Sequence, residues 1–280
     1  MNETPLALPV PFTFSQSSLQ DYDDCPRRFA LRHLQQVKWL SIEKDTTLEN
    51  ERHQVEGQNF HRLVQRHLIG IPAEDLTPLL QTETLERWWT HYLQSEEAGW
   101  KNDSAWTLYP EITLSAPFGK HRLLAKYDLL AIHESQKAII VDWKTYRKRP
   151  KDKYLSARWQ TRVYRYLLVE AGAGRNGGIP ISPNSIEMRY WFAEYPEETA
   201  RFPYSEKEYR RDREMLEKII GNIEADRDFP LAKKKNSCRF CAYRTYCERE
   251  IKDAPDVNEE DIEGELSLDF DFDAIEEIML

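Results

Sequence analysis

A chain of 280 residues with a formal net charge of −9 has room for one large domain or two small ones, and its acidity argues against a uniformly basic nucleic-acid binder. No apolar run approaches the roughly 18 residues needed to cross a bilayer. Residues 1–11 lack the basic start and apolar stretch of a secretory leader, so a cytoplasmic protein is expected. The acidity is uneven. Of 48 acidic residues, 12 lie in residues 253–280, where there is no Lys or Arg; the other 36 face 39 basic residues, so residues 1–252 carry a net +3.

In chain order, Phe12 and Phe14 lead into Ser17, a helix N-cap with Gln20 three residues on as its capping-box partner. The helix runs toward Cys25, Pro26 interrupts it, and Phe29, Leu31 and Leu34 form an apolar stripe beyond. Val55, Phe60, Leu63, Val64 and Leu68 suit one helix, which carries His61. Leu85, Trp88, Trp89, Tyr92 and Leu93 suit another. Residues 109–116, 122–132 and 138–143 have strand character, and a basic loop spans 144–153. Helix returns over 156–171, a Gly/Pro-rich loop spans 172–183, a strand follows at 186–193 and a charged helix at 206–225. The order predicts an α/β (α+β) fold with a small mixed central sheet flanked by helices.

Asp128 lies near the end of one predicted strand, and Asp142 and Lys144 flank Trp143 at the end of the next. A hairpin brings the aspartates together, and residues two apart on a strand share a face. Two carboxylates make a hard-oxygen site for Mg²⁺ or Mn²⁺. Such a metal activates water and neutralises charge on a scissile phosphate, with the lysine positioning the water or stabilising the transition state. Asp-x-Lys alone is also a common surface pair, so spacing leaves both readings open.

The stretch Lys126-Tyr127-Asp128 through Val141-Asp142-Trp143-Lys144-Thr145 resembles the core motif of PD-(D/E)XK nucleases, in particular the RecB-like branch. The resemblance implies a restriction-endonuclease-like core with a helical insertion at about 70–105. It implies Asp128, Asp142, Lys144, Gln160 and Tyr164 as catalytic residues, the last two at i and i+4 on one helix face. It further implies a metal held by His61, Asp128, Asp142 and the backbone carbonyl of Trp143. Ala125 stands where the family usually has Gly. Glu111 resembles an acidic position one strand earlier, with structural and catalytic roles both open.

The four cysteines, Cys25, Cys238, Cys241 and Cys247, are too few for a disulfide framework and the right number for one metal centre. Thiolates suit zinc or iron–sulfur. The segment Phe14-Ser15 to Tyr22, Cys25-Pro26 and Phe29, with the C-terminal trio, resembles the iron–sulfur nucleases of the same branch: AddB-type subunits of helicase–nucleases and CRISPR-associated RecB-like exonucleases. That implies a 4Fe–4S cluster on all four cysteines, with zinc as the alternative, and a nuclease domain spanning 1–252 whose two ends the cluster joins.

Arg147, Lys148, Arg149, Lys151 and Arg158 are candidate DNA contacts, followed by Arg162, Arg165 and Lys233–Lys235, with Tyr146, Tyr154 and Trp159 interleaved for stacking on bases. Residues 253–280 read as a disordered tail, a docking peptide for a protein partner, or a mimic of nucleic acid. The expected function is a Mg²⁺/Mn²⁺-dependent deoxyribonuclease, an exonuclease on single-stranded or end-containing DNA, in repair, recombination or defence. The alternative is a non-catalytic DNA-binding or assembly subunit of a helicase–nuclease or CRISPR adaptation complex. No Gly-x4-Gly-Lys-Ser/Thr loop is present, so helicase activity would belong to a partner.

Overall fold

The computed structural model describes residues 6–37, 45–233, 235–238, 241–244 and 246–248; the acidic stretch 253–280, with its docking and mimic readings, and Lys234 lie outside them. The chain runs β1 (Thr13–Phe14), α1 (Gln16–Asp24), α2 (Pro26–Phe29) with a π-helical turn at Ala30–Leu34, then α3 (Asp45–Leu68), α4 (Ala73–Leu76), α5 (Glu83–Leu93) and α6 (Glu96–Gly99). Three strands follow: β2 (Trp106–Phe118), β3 (His121–His133) and β4 (Ala138–Lys144). Then come α7 (Asp152–Ala157), α8 (Trp159–Ala171), β5 (Ile186–Phe192), β6 (Ala200–Pro203) and α9 (Glu206–Ala225). No described helix is long and apolar enough to cross a membrane.

The strands make one mixed six-stranded sheet in the order β1-β3-β4-β5-β6, with β2 along the other edge of β3. β4 reads Ala-Ile-Ile-Val-Asp-Trp-Lys, pairs antiparallel with β3 and parallel with β5, and is buried on both faces, as a central strand covered by helices on each side must be. Ala138 and Ile140 enter a core with α1, α8 and α9, while Ile139, Val141 and Trp143 enter a second core with α3 and α5. The fold is therefore the mixed sheet between helical layers that the sequence predicts.

Local boundaries differ where a tertiary partner decides them. The first helix is capped by Ser15, not Ser17: the Ser15 and Ser18 hydroxyls accept reciprocally from each other's backbone N–H. Gln20 instead donates to Asp24 and accepts from the Trp159 N–H, capping α8 from 139 residues away. The predicted helix over 156–171 is two helices. At the break the Leu155 carbonyl accepts from the Arg158 N–H and the Thr161 hydroxyl, and Arg158 adopts an extended backbone.

The chain beyond α9 folds back on the N-terminal helices. Phe229 is fully buried, stacked on Phe29 with centroids 5.9 Å apart and edge-on to Tyr22. Burying one such ring contributes about 1.5–3 kcal/mol. The Arg27 N–H donates to the Pro230 carbonyl, and the Tyr22 hydroxyl to Asp226.

Candidate active site

β3 carries β1 and β4 along the same edge, β1 at Arg122–Leu123 and β4 at Leu129–Ile132. The β3–β4 ladder ends at Leu129 and Val141, while β4 stays paired with β5 as far as Lys144 and Phe192. At the parting the Trp143 N–H donates to Asp128 Oδ2 at 2.8 Å, a side chain standing in for a strand carbonyl. The hairpin thus brings Asp128 and Asp142 to one split in the sheet.

The two carboxylates have different company. Asp142 Oδ1 accepts from Gln160 Nε2 at 2.6 Å, and its Oδ2 is ion-paired to Lys144 Nζ at 2.7 Å. Lys144 Nζ also donates to Gln160 Oε1 at 3.2 Å and lies about 5.5 Å from the ring centres of Tyr146 and Tyr190. Asp128 Oδ2 is 3.5 Å from His61 Nδ1, and Glu111 joins them, the three ligand atoms lying within 4.8 Å of one another. Among the described residues this is the group of three or more His, Cys, Asp or Glu side chains placed to share a metal ion.

Their acidities separate accordingly. Burial pushes Asp142 up to about 6, with Lys144 pulling against it and Asp128 adding to it. Loss of water also works against the charge of the half-buried Asp128, but the His61 and Lys144 charges and the Trp143 N–H outweigh that and leave its pKa lowered. Burial and the Asp128 charge raise Glu111. Burial opposes the charge of His61, yet Asp128, Glu111 and Asp142 leave its pKa raised. A set of groups with acidities driven apart is what acid–base and metal chemistry at one site requires.

Helix α3 is docked on the end of β4 by His53, Gly57 and His61, four residues apart on one face. His53 Nε2 meets the Thr145 carbonyl at 2.7 Å, and a Cβ on Gly57 would lie 2.9 Å from Thr145 Oγ1. Glycine there lets the helix approach the strand that carries Lys144.

Other predicted residues are placed elsewhere. Tyr164 lies in the core, its ring 4.9 Å from that of Tyr127, whose hydroxyl donates to the Tyr164 carbonyl. The Trp143 side chain packs edge-on to Tyr92 and Trp191. Trp159 and Tyr146 are buried, so neither offers a face to a base; the Trp159 ring N–H donates to Asp23. Arg162 and Arg165 bind Asp212 of α9 and hold two helices together. Arg149 is engaged by Asp152 and by the Glu198 carbonyl. Arg158 lies over the Tyr154 ring and donates to its hydroxyl. Lys151 and Lys153 are exposed, and Arg147 and Lys148 half-buried. Tyr190 is a site neighbour that sequence reasoning missed: the β4–β5 register sets it beside Asp142, and no local pattern encodes that register.

Of the four cysteines, Cys25 and Cys238 are buried, and Cys241 and Cys247 half-buried. Near them, the Tyr243 hydroxyl donates to the Val37 carbonyl, and upstream Phe229 stacks on Phe29. No three of the four sulfurs lie within 4.8 Å of one another. A tetrahedral zinc site, with sulfurs about 3.8 Å apart, is therefore not preformed.

The model of the PD-(D/E)XK nuclease superfamily matches residues 13–248, and the chain belongs to that superfamily. Its members use divalent metals, and a cluster of His61, Glu111 and Asp128 is present here. Two solved structures are similar in outline. One, described as SSO0001, is 14% identical with a TM-score of 0.40, over 88% of this chain and 90% of its own. The other, a "Putative exonuclease" from Eubacterium rectale, is 11% identical with a TM-score of 0.47, over 89% and 91%. No curated protein matches.

Proposed function

We propose that the protein is a Mg²⁺- or Mn²⁺-dependent DNA nuclease of the RecB-like branch, an exonuclease acting on single-stranded or end-containing DNA in repair, recombination or defence. The observation that carries this reading is a largely buried Lys144, its side chain 12% exposed, held between Asp142 and Gln160, beside Asp128 and His61, where β4 leaves β3. His61, Asp128 and Asp142, with the Trp143 carbonyl, would hold the metal. Asp142 can do so while bound to Gln160 and Lys144, because a carboxylate has about four lone-pair sites. The bound metal supplies Lewis acidity toward the phosphate and toward a water. Lys144 brings a fixed positive charge to the phosphate and the attacking water, in a pocket where burial strengthens it. Gln160 orients both Asp142 and Lys144, and so acts through them. Tyr164, packed on Tyr127, supports the helix that carries Gln160.

Arg147, Lys148, Lys151 and Arg158 would track the DNA backbone. The four cysteines would carry a 4Fe–4S cluster joining the first helices to the last segment. Support comes from the donor set, since four cysteine sulfurs suit iron–sulfur chemistry. Stretch 253–280 would be a docking segment for a protein partner.

The experiment is purification without oxygen, a visible spectrum, and cleavage of end-labelled DNA with Mn²⁺ by wild type and Asp142→Ala. Visible absorption and Asp142-dependent cleavage are expected. A colourless protein would remove the cluster, and cleavage that survives Asp142→Ala would remove the site.

A further inference from the structure

Glu111 stands outside the metal set of His61, Asp128 and Asp142, and its backbone is unusual. It sits inside a 13-residue strand yet has φ +52, the left-handed region that favours glycine. The β2–β3 register runs Pro110 with Leu129 and Ile112 with Tyr127, with Glu111 between. Here the in–out alternation of both strands slips by one. Tyr109 and Ile112, three apart, both pack on the α8-side core, as do Tyr127 and Leu130.

The slip brings the Glu111 carboxylate to Asp128 and His61. It carries three costs: a backbone strained for any residue with a Cβ, partial burial of a carboxylate, and a like charge at Asp128. Lys126 Nζ, 3.1 Å from Glu111, offsets only part of this from a partly exposed position. A divalent cation between the carboxylates would offset the like-charge cost. In an octahedral shell with bonds of about 2.1 Å, ligand atoms are about 3.0 to 4.2 Å apart; His61 and Asp128 are 3.5 Å apart, and all three atoms lie within 4.8 Å of one another. We propose that Glu111 is a ligand of the same cation as His61 and Asp128, and that the left-handed kink in β2 exists to aim it there. This rests on the metal-dependent reading above.

The test is Mn²⁺ affinity by titration calorimetry on the full chain, with the thermal midpoint of the chelator-treated protein. The variants are Glu111→Gln, Glu111→Gly and, as control, Asp128→Asn. Glu111→Gln keeps the shape and is expected to weaken Mn²⁺ at least tenfold. Glu111→Gly is expected to lose the same affinity while raising the metal-free midpoint by about 2–4 °C, because glycine relieves the kink. Only a strained ligand moves the two readouts in opposite directions. If Glu111→Gln binds Mn²⁺ like wild type while Asp128→Asn does not, the ligand role of Glu111 fails and the metal site stands. If Glu111→Gly lowers the metal-free midpoint, Glu111 is a structural partner of Lys126 and the proposal is overturned. Absence of Mn²⁺ binding in wild type overturns the metal-dependent reading itself.

Discussion

Replacing Lys144 with methionine separates what the lysine does for stability from what it does for the reaction. Methionine keeps the unbranched stem between the Tyr146 and Tyr190 rings and removes the charge 2.7 Å from Asp142. A buried carboxylate stripped of its cation would ordinarily be costly. Asp142 escapes most of that cost because burial already holds its pKa at about 6, so it takes a proton near neutral pH. One pKa unit corresponds to about 1.4 kcal/mol, so neutralising Asp142 at pH 7 costs on the order of 1 kcal/mol. The rate has no such escape. Loss of one preorganised electrostatic group typically costs 10²–10³ in turnover, about 3–4 kcal/mol of barrier. Lys144→Met is expected to stay within about 2 kcal/mol of wild type in urea denaturation, and to cleave end-labelled DNA at least 100-fold more slowly in saturating Mn²⁺. Turnover within tenfold of wild type would refute the role given to Lys144.

Three further outcomes follow from named contacts. Arg189 is fully buried against Glu187, Glu97 and Glu96 at 2.6, 2.9 and 3.1 Å, tying α6 to β5. Arg189→Met should cost about 3–5 kcal/mol in urea unfolding, and Glu97→Gln in the same chain should recover part of it. Burial works against the Asp21 carboxylate, but the His33 hydrogen bond and the Arg28 and Arg32 charges outweigh it and leave its pKa lowered. Its stabilisation is therefore complete above the unfolded value near 3.8 and lost as pH falls through the depressed folded value. Asp21→Asn should cost about 3 kcal/mol at pH 7, and the gap to wild type should close in acid below about pH 4. For DNA binding, Lys151→Gln should lower the slope of log affinity against log salt by about 0.7–0.9, the share of one phosphate contact. Arg149→Gln, which removes contacts to Asp152 and the Glu198 carbonyl, should leave that slope unchanged.

What the sequence made legible was what local pattern encodes. Residues 138–143 form a β-branched run and appear as the central strand, and the charged helix over 206–225 has the predicted bounds. Asp128, Asp142, Lys144, Gln160 and His61 converge because strand pairing and helix docking are consistent with their spacing. What stayed hidden depends on partners distant in sequence. Arg162 and Arg165 resemble a phosphate-tracking stripe until Asp212, some fifty residues on, occupies them. Trp159 resembles a stacking platform until Asp23 and the core cover it. The break between α7 and α8 has no Gly or Pro to announce it, because a Thr161 hydroxyl and a Gln20 side chain set it. Glu111 was visible as a residue of open role; the left-handed backbone that aims it at Asp128 was not.

The central claim, that DNA cleavage depends on a metal held at Asp128, is tested by the initial rate of cleavage of an end-labelled single strand against Mn²⁺ concentration. The comparison is wild type with Asp128→Asn, both confirmed folded by circular dichroism. The account predicts a saturable rise from a background near zero for wild type, and a flat line for the variant. Equal rates for the two proteins, or cleavage that persists in excess chelator, would contradict it.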